Sequence, residues 1–314
     1  MTDQADDRTR VRLVEATAGD AGQRIDNFLL RVLRGVPRGH VYRLLRRGEV
    51  RVNGRRARAA YRLETADQVR IPPVRETRHA DGELPAHLLE RLRDCVLHED
   101  EQVIVVDKPA GIAVHAGSGL GGGLIDGLRT LRPDLPELSL VHRLDRDTSG
   151  CLLLARDRRT LRDLQQALRD GAFTKVYQAI LLGEWPAPEA TVDAPLTRDV
   201  RRGNERIVRV DPAAGQAARS HFRRLATGAG LTHVEVHIDT GRTHQIRVHA
   251  AHLGHPVVGD DKYGRRRQTR EVLGRRPPRL FLHASTLGFP LGGKTLTLTS
   301  PVPDGFRELL AGRS

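Results

Sequence analysis

The chain has 314 residues, of which 39% are apolar and 4% aromatic, and its net charge is +13. This length allows one large and one small domain, and the charge favours a polyanionic partner, most simply nucleic acid. No apolar run approaches the roughly 18 residues of a membrane span, and two cysteines, Cys95 and Cys151, exclude a disulfide framework. The polar, acidic first residues are unlike a secretory signal, so we expect a cytoplasmic protein.

The first predicted unit is a basic module over residues 22–75, preceded by an arm formed by residues 1–21. Apolar residues at helical spacing predict two helices in it, and alternating residues predict two strands. Asn53 and Gly54 form a strong hairpin signal at the end of the first strand. The predicted helices lie at 25–33 and from Val41 to Gly48, and the strands lie at 49–54 and 68–71, with a further short strand at 11–14 in the arm.

Charge is concentrated in this module. Residues 22–78 contain 15 arginines and five acidic residues, which is +10 of the chain's +13. The stretch RGEVRVNGRRA resembles the centre of the S4-like RNA-binding module, a small α/β unit. We therefore expect the module to bind RNA phosphates, which the planar guanidinium group suits. The candidate side chains are Arg43, Arg46, Arg47, Arg51 and Arg55.

Residues 76–95 are predicted to link the module to a second domain at 96–314. Many strands and few helices, without strand–helix alternation, indicate an α+β fold on a mostly antiparallel or mixed sheet. The stretch from Gly264 to Arg279 is rich in arginine and is expected to be a loop that either extends the RNA contact or is disordered. The predicted strands lie at 102–106, 151–155, 175–182, 231–239, 280–282 and 295–298, and the helices at 88–97, 125–131, 160–168 and 306–310.

The candidate chemistry centres on VHRLDRDTSGCLLLAR, residues 141–156. A polar, turn-prone run leads into a short apolar run, which is typical of a loop that enters a buried strand. Such a loop can reach a substrate while the strand holds its position. Asp145 and Asp147 lie among arginines, which favour an ionised carboxylate, although a solvated charged turn would have the same pattern.

Other motifs in the second domain are weaker. The glycines of residues 117–122 fit G-x-G-x-x-G formally, but the preceding strand ends eleven residues earlier, so a flexible substrate-facing loop is favoured. His249, His252 and His255 are spaced by three but lack a nearby cysteine or an HExxH glutamate, so hydrogen bonding or RNA contact is favoured over a metal. Ser149 lacks the G-x-S-x-G context of a hydrolase. We therefore expect no metal and no cofactor.

Five motifs in order carry a resemblance to the RluA family of pseudouridine synthases, over roughly residues 98–300. They are DKPAGIAVH, VHRLDRDTSGCLLLARD, TKVYQAILLGEW, TGRTHQIRVHAAHLGHPVVGDDKYG and RLFLHA. The resemblance implies an RNA isomerase that converts specific uridines of large-subunit (23S) ribosomal RNA to pseudouridine without a cofactor. It also implies that the uracil detaches from the ribose, turns, and rejoins through carbon five.

The resemblance assigns roles to individual residues. Asp145 would be the catalytic carboxylate, acting as nucleophile or by another route. Tyr177 would pack on the target base, and Arg247 would pair with Asp145 and keep it ionised. Arg143 would enter the RNA stack as the uridine leaves, while Arg242 and His244 would contact RNA. Asp147 is then expected to be a capping or salt-bridging turn residue.

Two alternatives stay open at this stage. A non-catalytic RNA-binding ribosome-assembly factor would need the basic module but not Asp145, and a metal-dependent hydrolase would need bound metal. We expect the protein to act as a monomer on ribosomal RNA, free or in an assembling large subunit, away from membranes. The target uridines cannot be read from the motifs.

Overall fold

The computed structural model describes residues 11–33, 36, 38–74, 86–115, 122–202 and 205–312. The chain divides into two compact units, Met1–Glu83 and Leu84–Ser314. In the described part of the chain, no helix is long and apolar enough to cross a membrane. The predicted fold class is confirmed, since a small sheet module precedes a mixed-sheet domain with helices.

The first unit packs two helices on a four-stranded antiparallel sheet with the order β1-β4-β2-β3. Asn53 and Gly54 both have positive φ, at 49° and 75°, as the hairpin signal predicts. One apolar core, which includes Phe28, Leu29 and Val69, holds the helices on the sheet. The elements are β1 Arg12–Glu15, α1 Ile25–Val32, α2 Arg38–Arg47, β2 Arg51–Val52, β3 Arg55–Arg56 and β4 Gln68–Ile71.

The second unit is built on a ten-stranded sheet, with a separate two-stranded ribbon. Its strand pairs are antiparallel except at His283 and Ala284 of β15, which pair with β8 in parallel. The strands are β5 Val96–Glu99, β6 Val103–Lys108, β7 Ser139–Leu140, β8 Ser149–Ala155, β9 Thr174–Leu182, β10 Glu189–Asp193, β11 Leu196–Arg202, β12 Glu205–Val210, β13 Arg219–Gly228, β14 Leu231–Ile238, β15 Leu282–Leu291 and β16 Lys294–Thr299. The helices are α3 Ala86–Arg93, α4 Leu124–Leu131, α5 Arg158–Arg169, α6 Gln245–His252, α7 Arg266–Leu273 and α8 Gly305–Leu310.

Strand β8 is buried on both faces, which explains its continuous apolar sequence. Leu152 and Leu154 face one core cluster with α3 and α4, while Cys151 and Leu153 face another with α5. Period-two alternation therefore sends every side chain of β8 into a core. Burying each of these leucines contributes about 1.5–3 kcal/mol. The strand is a rigid base for the polar loop that precedes it.

Three expectations about elements need correction. The helix predicted at 88–97 ends at Arg93, and Val96 begins strand β5 instead. The late strand predicted at 280–282 begins only at Leu282 and continues to Leu291. The loop predicted from Gly264 to Arg279 contains helix α7, which Gly274 ends with a left-handed φ of 68°. Helix α3 itself begins at Ala86.

Candidate active site

Asp145 lies on the loop that joins β7 to β8. The Thr148 N–H donates to the Asp145 carbonyl over 3.2 Å, which closes a tight turn ahead of the strand. Gly150 has a φ of 108°, and a Cβ there would lie 2.2 Å from the Ala284 carbonyl oxygen, so only glycine fits. The loop thus enters the sheet at close backbone contact with β15. The Asp145 side chain remains 25% exposed.

Lys108 holds this loop in place through three hydrogen bonds. Its buried ammonium donates to the carbonyls of Pro109, Ile112 and Arg146 over 2.9, 2.8 and 2.8 Å. Burial lowers the Lys108 pKa to about 7. The three carbonyl acceptors favour the ammonium form, because only that form carries three N–H donors. The DKPAG motif therefore holds the residue next to Asp145.

A second polar cluster holds the far end of the loop. Arg279 donates to Ser149 Oγ over 2.5 Å, and that hydroxyl lies 2.8 Å from His283 Nδ1. His283 Nε2 lies 3.2 Å from the Ser300 carbonyl, which can only accept, so Nδ1 accepts from Ser149. Burial lowers the His283 pKa, which agrees with a neutral ring. Two residues of RLFLHA thus fix the start of β8.

Arg247, on α6, joins Asp145 to a second carboxylate. Its Nη1 donates to Asp145 Oδ2 over 3.1 Å, while Nε and Nη2 donate to Asp260 over 2.7 and 2.8 Å. The Arg247 side chain is 7% exposed and that of Asp260 is fully buried. Burial alone would raise the Asp260 pKa, but the hydrogen bonds and charge of Arg247 lower it below its ordinary value. One guanidinium is therefore held rigidly against the candidate catalytic carboxylate.

Backbone donors complete the Asp260 site. The N–H groups of Lys262 and Tyr263 donate to Asp260 Oδ1 over 2.9 and 3.0 Å. The DDKYG turn thus anchors Arg247 through a charged and fully hydrogen-bonded carboxylate. Asp260 was not among the predicted site residues, because nothing in the local pattern separates it from Asp261.

His244 stands beside the same carboxylate. Its Nε2 lies 3.8 Å from Asp145 Oδ2, and its Nδ1 lies 2.7 Å from Tyr263 Oη. That hydroxyl also accepts the Val208 N–H over 3.0 Å, and Arg247 lies 5.3 Å from the centre of the Tyr263 ring. Burial lowers the His244 pKa against the opposing effect of Asp145. His244 has a φ of 54°, which costs about 1–2 kcal/mol and is typical of functional sites.

Tyr177, on β9, packs against two core clusters, one containing Leu152 and one containing Leu181. Burial and then the charge of Asp145 raise the Tyr177 pKa above its ordinary value, so the phenol keeps its proton at neutral pH. The structure thus brings Asp145, Tyr177, Arg247 and His244 into one region.

The other predicted contact residues lie at the surface. Arg143 is exposed. Arg242 is exposed and donates through Nε to the Ala217 carbonyl over 3.0 Å. In the first unit, the five candidate side chains are also exposed, namely Arg43, Arg46, Arg47, Arg51 and Arg55.

The weaker motifs have structural explanations. His249 is buried between Ser220 Oγ and the Ala194 carbonyl, each 3.0 Å from a ring nitrogen, and His255 bonds the Leu182 carbonyl over 3.0 Å. Among the described residues, no group of three His, Cys, Asp or Glu side chains could hold a metal. Asp147 forms an ion pair with Arg146 over 3.1 Å. Most of the glycine loop, residues 116–121, lies outside the described residues.

Comparisons with known proteins give consistent matches. A family model for RNA pseudouridylate synthase matches residues 102–252, and one for the S4 domain matches residues 23–69. Ribosomal large subunit pseudouridine synthase C of Escherichia coli O157:H7 is 46% identical over 306 residues, which cover 96% of each chain. The Yersinia pestis protein of the same name is 44% identical over 304 residues, covering 96% of this chain and 95% of that one.

Solved structures agree at fold level. Human RNA pseudouridylate synthase domain containing 4 matches with a TM-score of 0.60 at 26% identity, covering 72% of this chain and 95% of that one. Human RNA pseudouridylate synthase domain containing 1 matches with a TM-score of 0.58 at 27% identity, covering 70% and 86%.

Proposed function

The chain belongs to the RluA family of RNA pseudouridine synthases, and on this premise we propose that it isomerises uridines of large-subunit ribosomal RNA with Asp145 as the catalytic carboxylate. The substrate class follows from the names of relatives that share almost the whole chain length. Such a substrate implies a cytoplasmic site of action. We also propose that one chain acts alone.

The observation that carries the assignment is the geometry around Asp145. Its carboxylate lies 3.1 Å from a guanidinium that is itself held by the buried Asp260, yet a quarter of its side chain stays accessible. A charged group that is held rigidly but remains accessible can act on an atom of a bound substrate. A purely structural ion pair would gain nothing from leaving Asp145 accessible.

The reaction balances without a co-reactant. The bond from N1 of uracil to C1′ of ribose breaks, a bond from C5 to C1′ forms, C5 loses its hydrogen, and N1 gains one. Asp145 would either bond to C1′ or stabilise the positive charge that develops there when N1 departs. Tyr177 would pack on the base, where its phenol is the candidate to give a proton to N1 and then to take the proton that C5 loses.

The uridine must leave its stack before Asp145 can reach its sugar. Extruding a base costs a few kcal/mol, which contacts to the remaining RNA must offset. Arg143 is two residues from Asp145 and exposed, so we propose that it occupies the position that the base vacates. Arg242 and His244 would contact the adjoining RNA.

The test of function follows the hydrogen at C5. Large-subunit RNA transcribed with uridine carrying tritium at C5 should release tritium to water when incubated with the protein, and mapping should find pseudouridine at discrete positions. A non-catalytic assembly factor would bind the RNA and release none. Ribosomal RNA from cells that lack the gene should contain unmodified uridine at the same positions. Tritium retention in every large-subunit RNA tested would contradict the proposal.

The S4-like module is proposed to supply affinity for RNA rather than chemistry. We expect Arg43→Gln, Arg46→Gln and Arg55→Gln together to weaken RNA binding and to flatten its salt dependence. Each lost phosphate contact should reduce the slope of log K against log salt by about 0.7–0.9. Filter binding at several salt concentrations measures the slope, with the same substitutions at Arg159, Arg162 and Arg169 of α5 as the control. An unchanged slope of log K against log salt would mean that these arginines of the module do not contact RNA phosphates.

A further inference from the structure

The catalytic unit carries most of its net positive charge in one segment. Residues 265–279 contain seven arginines and one acidic residue, a net charge of +6. The whole unit Leu84–Ser314 has 34 basic and 27 acidic residues, a net charge of +7. The rest of the unit is therefore close to neutral, and this segment accounts for six of the seven net positive charges that would attract a polyanion.

The segment is anchored along its inner side. Thr269 is buried, and Leu273 packs against the core cluster that contains Ile180 and Phe306. Asp261 forms ion pairs with Arg266 over 3.3 Å and with Arg276 over 2.9 Å, which ties both ends of α7 to the DDKYG turn. The turn that positions Arg247 and the basic helix thus form one connected structure.

The outer side of α7 presents its charge to solvent. The Arg267 side chain is 94% exposed, and Arg265, Arg270 and Arg275 are also exposed. In this segment, all of which the structure describes, Val272 is the exposed large apolar side chain, at 38%. An interface with a folded protein needs apolar anchors at its centre, which this surface lacks. Exposed guanidinium groups without apolar anchors suit phosphates.

The segment also lies near the chemistry. Tyr263 bonds His244, whose Nε2 is 3.8 Å from Asp145. Arg267 follows Tyr263 by four residues, and each residue spans at most about 3.6 Å, so the two Cα atoms lie within about 14 Å. A strand of helical nucleic acid advances about 3.4 Å per nucleotide, so this reach corresponds to a few nucleotides.

We propose that α7 and its flanks, residues 265–279, form a second RNA-binding surface that holds the phosphates next to the extruded uridine. The proposal rests on the proposed function and adds a contact within the catalytic unit itself. Because this contact would form whether the base is stacked or extruded, it would tighten RNA binding and lower KM without changing kcat.

The test neutralises the outer face of the segment without disturbing its anchors. Arg267→Gln and Arg270→Gln keep helix-forming side chains in α7, and Arg275→Gln lies beyond its end. All three leave Arg266 and Arg276 on Asp261. We expect KM for large-subunit RNA to rise about tenfold at moderate salt, and the salt slope of RNA binding to become shallower by about 2. The value of kcat at saturating RNA should stay within about twofold of wild type, because no residue at Asp145 changes.

The matched control removes the same charge from another helix. Arg159→Gln, Arg162→Gln and Arg169→Gln on α5 should leave KM and the salt slope nearly unchanged. If the α5 and α7 variants showed the same rise in KM and the same loss of salt slope, the proposal would be overturned. The net charge of the unit would then explain RNA binding without a specific surface. Unchanged KM and slope in the α7 variant, or a fall in kcat at unchanged KM, would also overturn it. Failure of the proposed function itself would be distinguishable from failure of this proposal, because the wild-type protein would then release no tritium.

Discussion

Asp145→Asn should lower the rate of pseudouridine formation by at least about a thousandfold, which is the scale of loss for a group that acts on the reacting atom. The amide has nearly the same shape, so Arg247 and the loop can stay in place. What disappears is the negative charge that is proposed to act at C1′. Affinity for RNA should remain within about twofold, because the exposed arginines that would contact phosphate are untouched.

Single-turnover tritium release measures the chemical step, and filter binding measures affinity. Asp147→Asn is the matched control, since it changes a carboxylate two residues away whose partner is Arg146. We expect that control to keep nearly full activity. If Asp145→Asn turned over as fast as the control, the catalytic assignment of this loop would be wrong.

Arg247→Met should strongly lower the free energy of unfolding. It leaves Asp260 charged, fully buried and without its guanidinium, and breaking a buried ion pair in this way costs about 3–5 kcal/mol. Two backbone N–H groups still reach Asp260, which places the expected loss toward the lower end of that range. Activity should fall as well, since Asp145 loses the group that orients it.

A double variant separates the two effects. Asp260→Asn in the Arg247→Met background removes the unpaired charge, so part of the lost unfolding free energy should return. Activity should not return, because Asp145 still lacks its partner. Urea unfolding and tritium release are measured on the same preparations. Recovery of both together would mean that Arg247 acts through folding alone.

The ion pair between Arg247 and Asp260 predicts that the unfolding free energy depends on pH. The folded-state pKa of Asp260 is lowered below its ordinary value of 3.8, so the unfolded chain takes up the proton first as pH falls. The contribution of ionised Asp260 to the unfolding free energy is therefore fully present above about pH 3.8. It is lost as pH falls through the lower pKa that Asp260 has in the folded state. The unfolding free energy of the double variant should depend less on pH in this window than that of wild type.

Most of the regular elements were predictable because they follow local periodicity. The alternation of 231–239 and the apolar run of 151–155 each indicated a strand, and both are strands in the structure. Helix α6 was missed because polar Gln245, Arg247 and His249 alternate with apolar residues in the sequence, so no polar face marks a helical period. Helix α7 was missed for the opposite reason, since nearly all of its side chains are polar.

By itself the sequence determined the two-part organisation, the concentration of arginine, the polar loop before a buried strand, and the motifs that identify the family. These depend on residue types and on neighbours close in the chain. The pairing of Arg247 with Asp145, 102 residues away, was expected only through the family resemblance. Only the tertiary structure decided that Ser149 meets Arg279 and His283, 130 and 134 residues away. Those contacts depend on strand register and helix packing, and short-range sequence patterns do not specify either one. For this reason Asp145 was recognisable in the sequence as a candidate catalytic residue, while the roles of Asp260, Tyr263 and the RLFLHA residues in holding its surroundings were not.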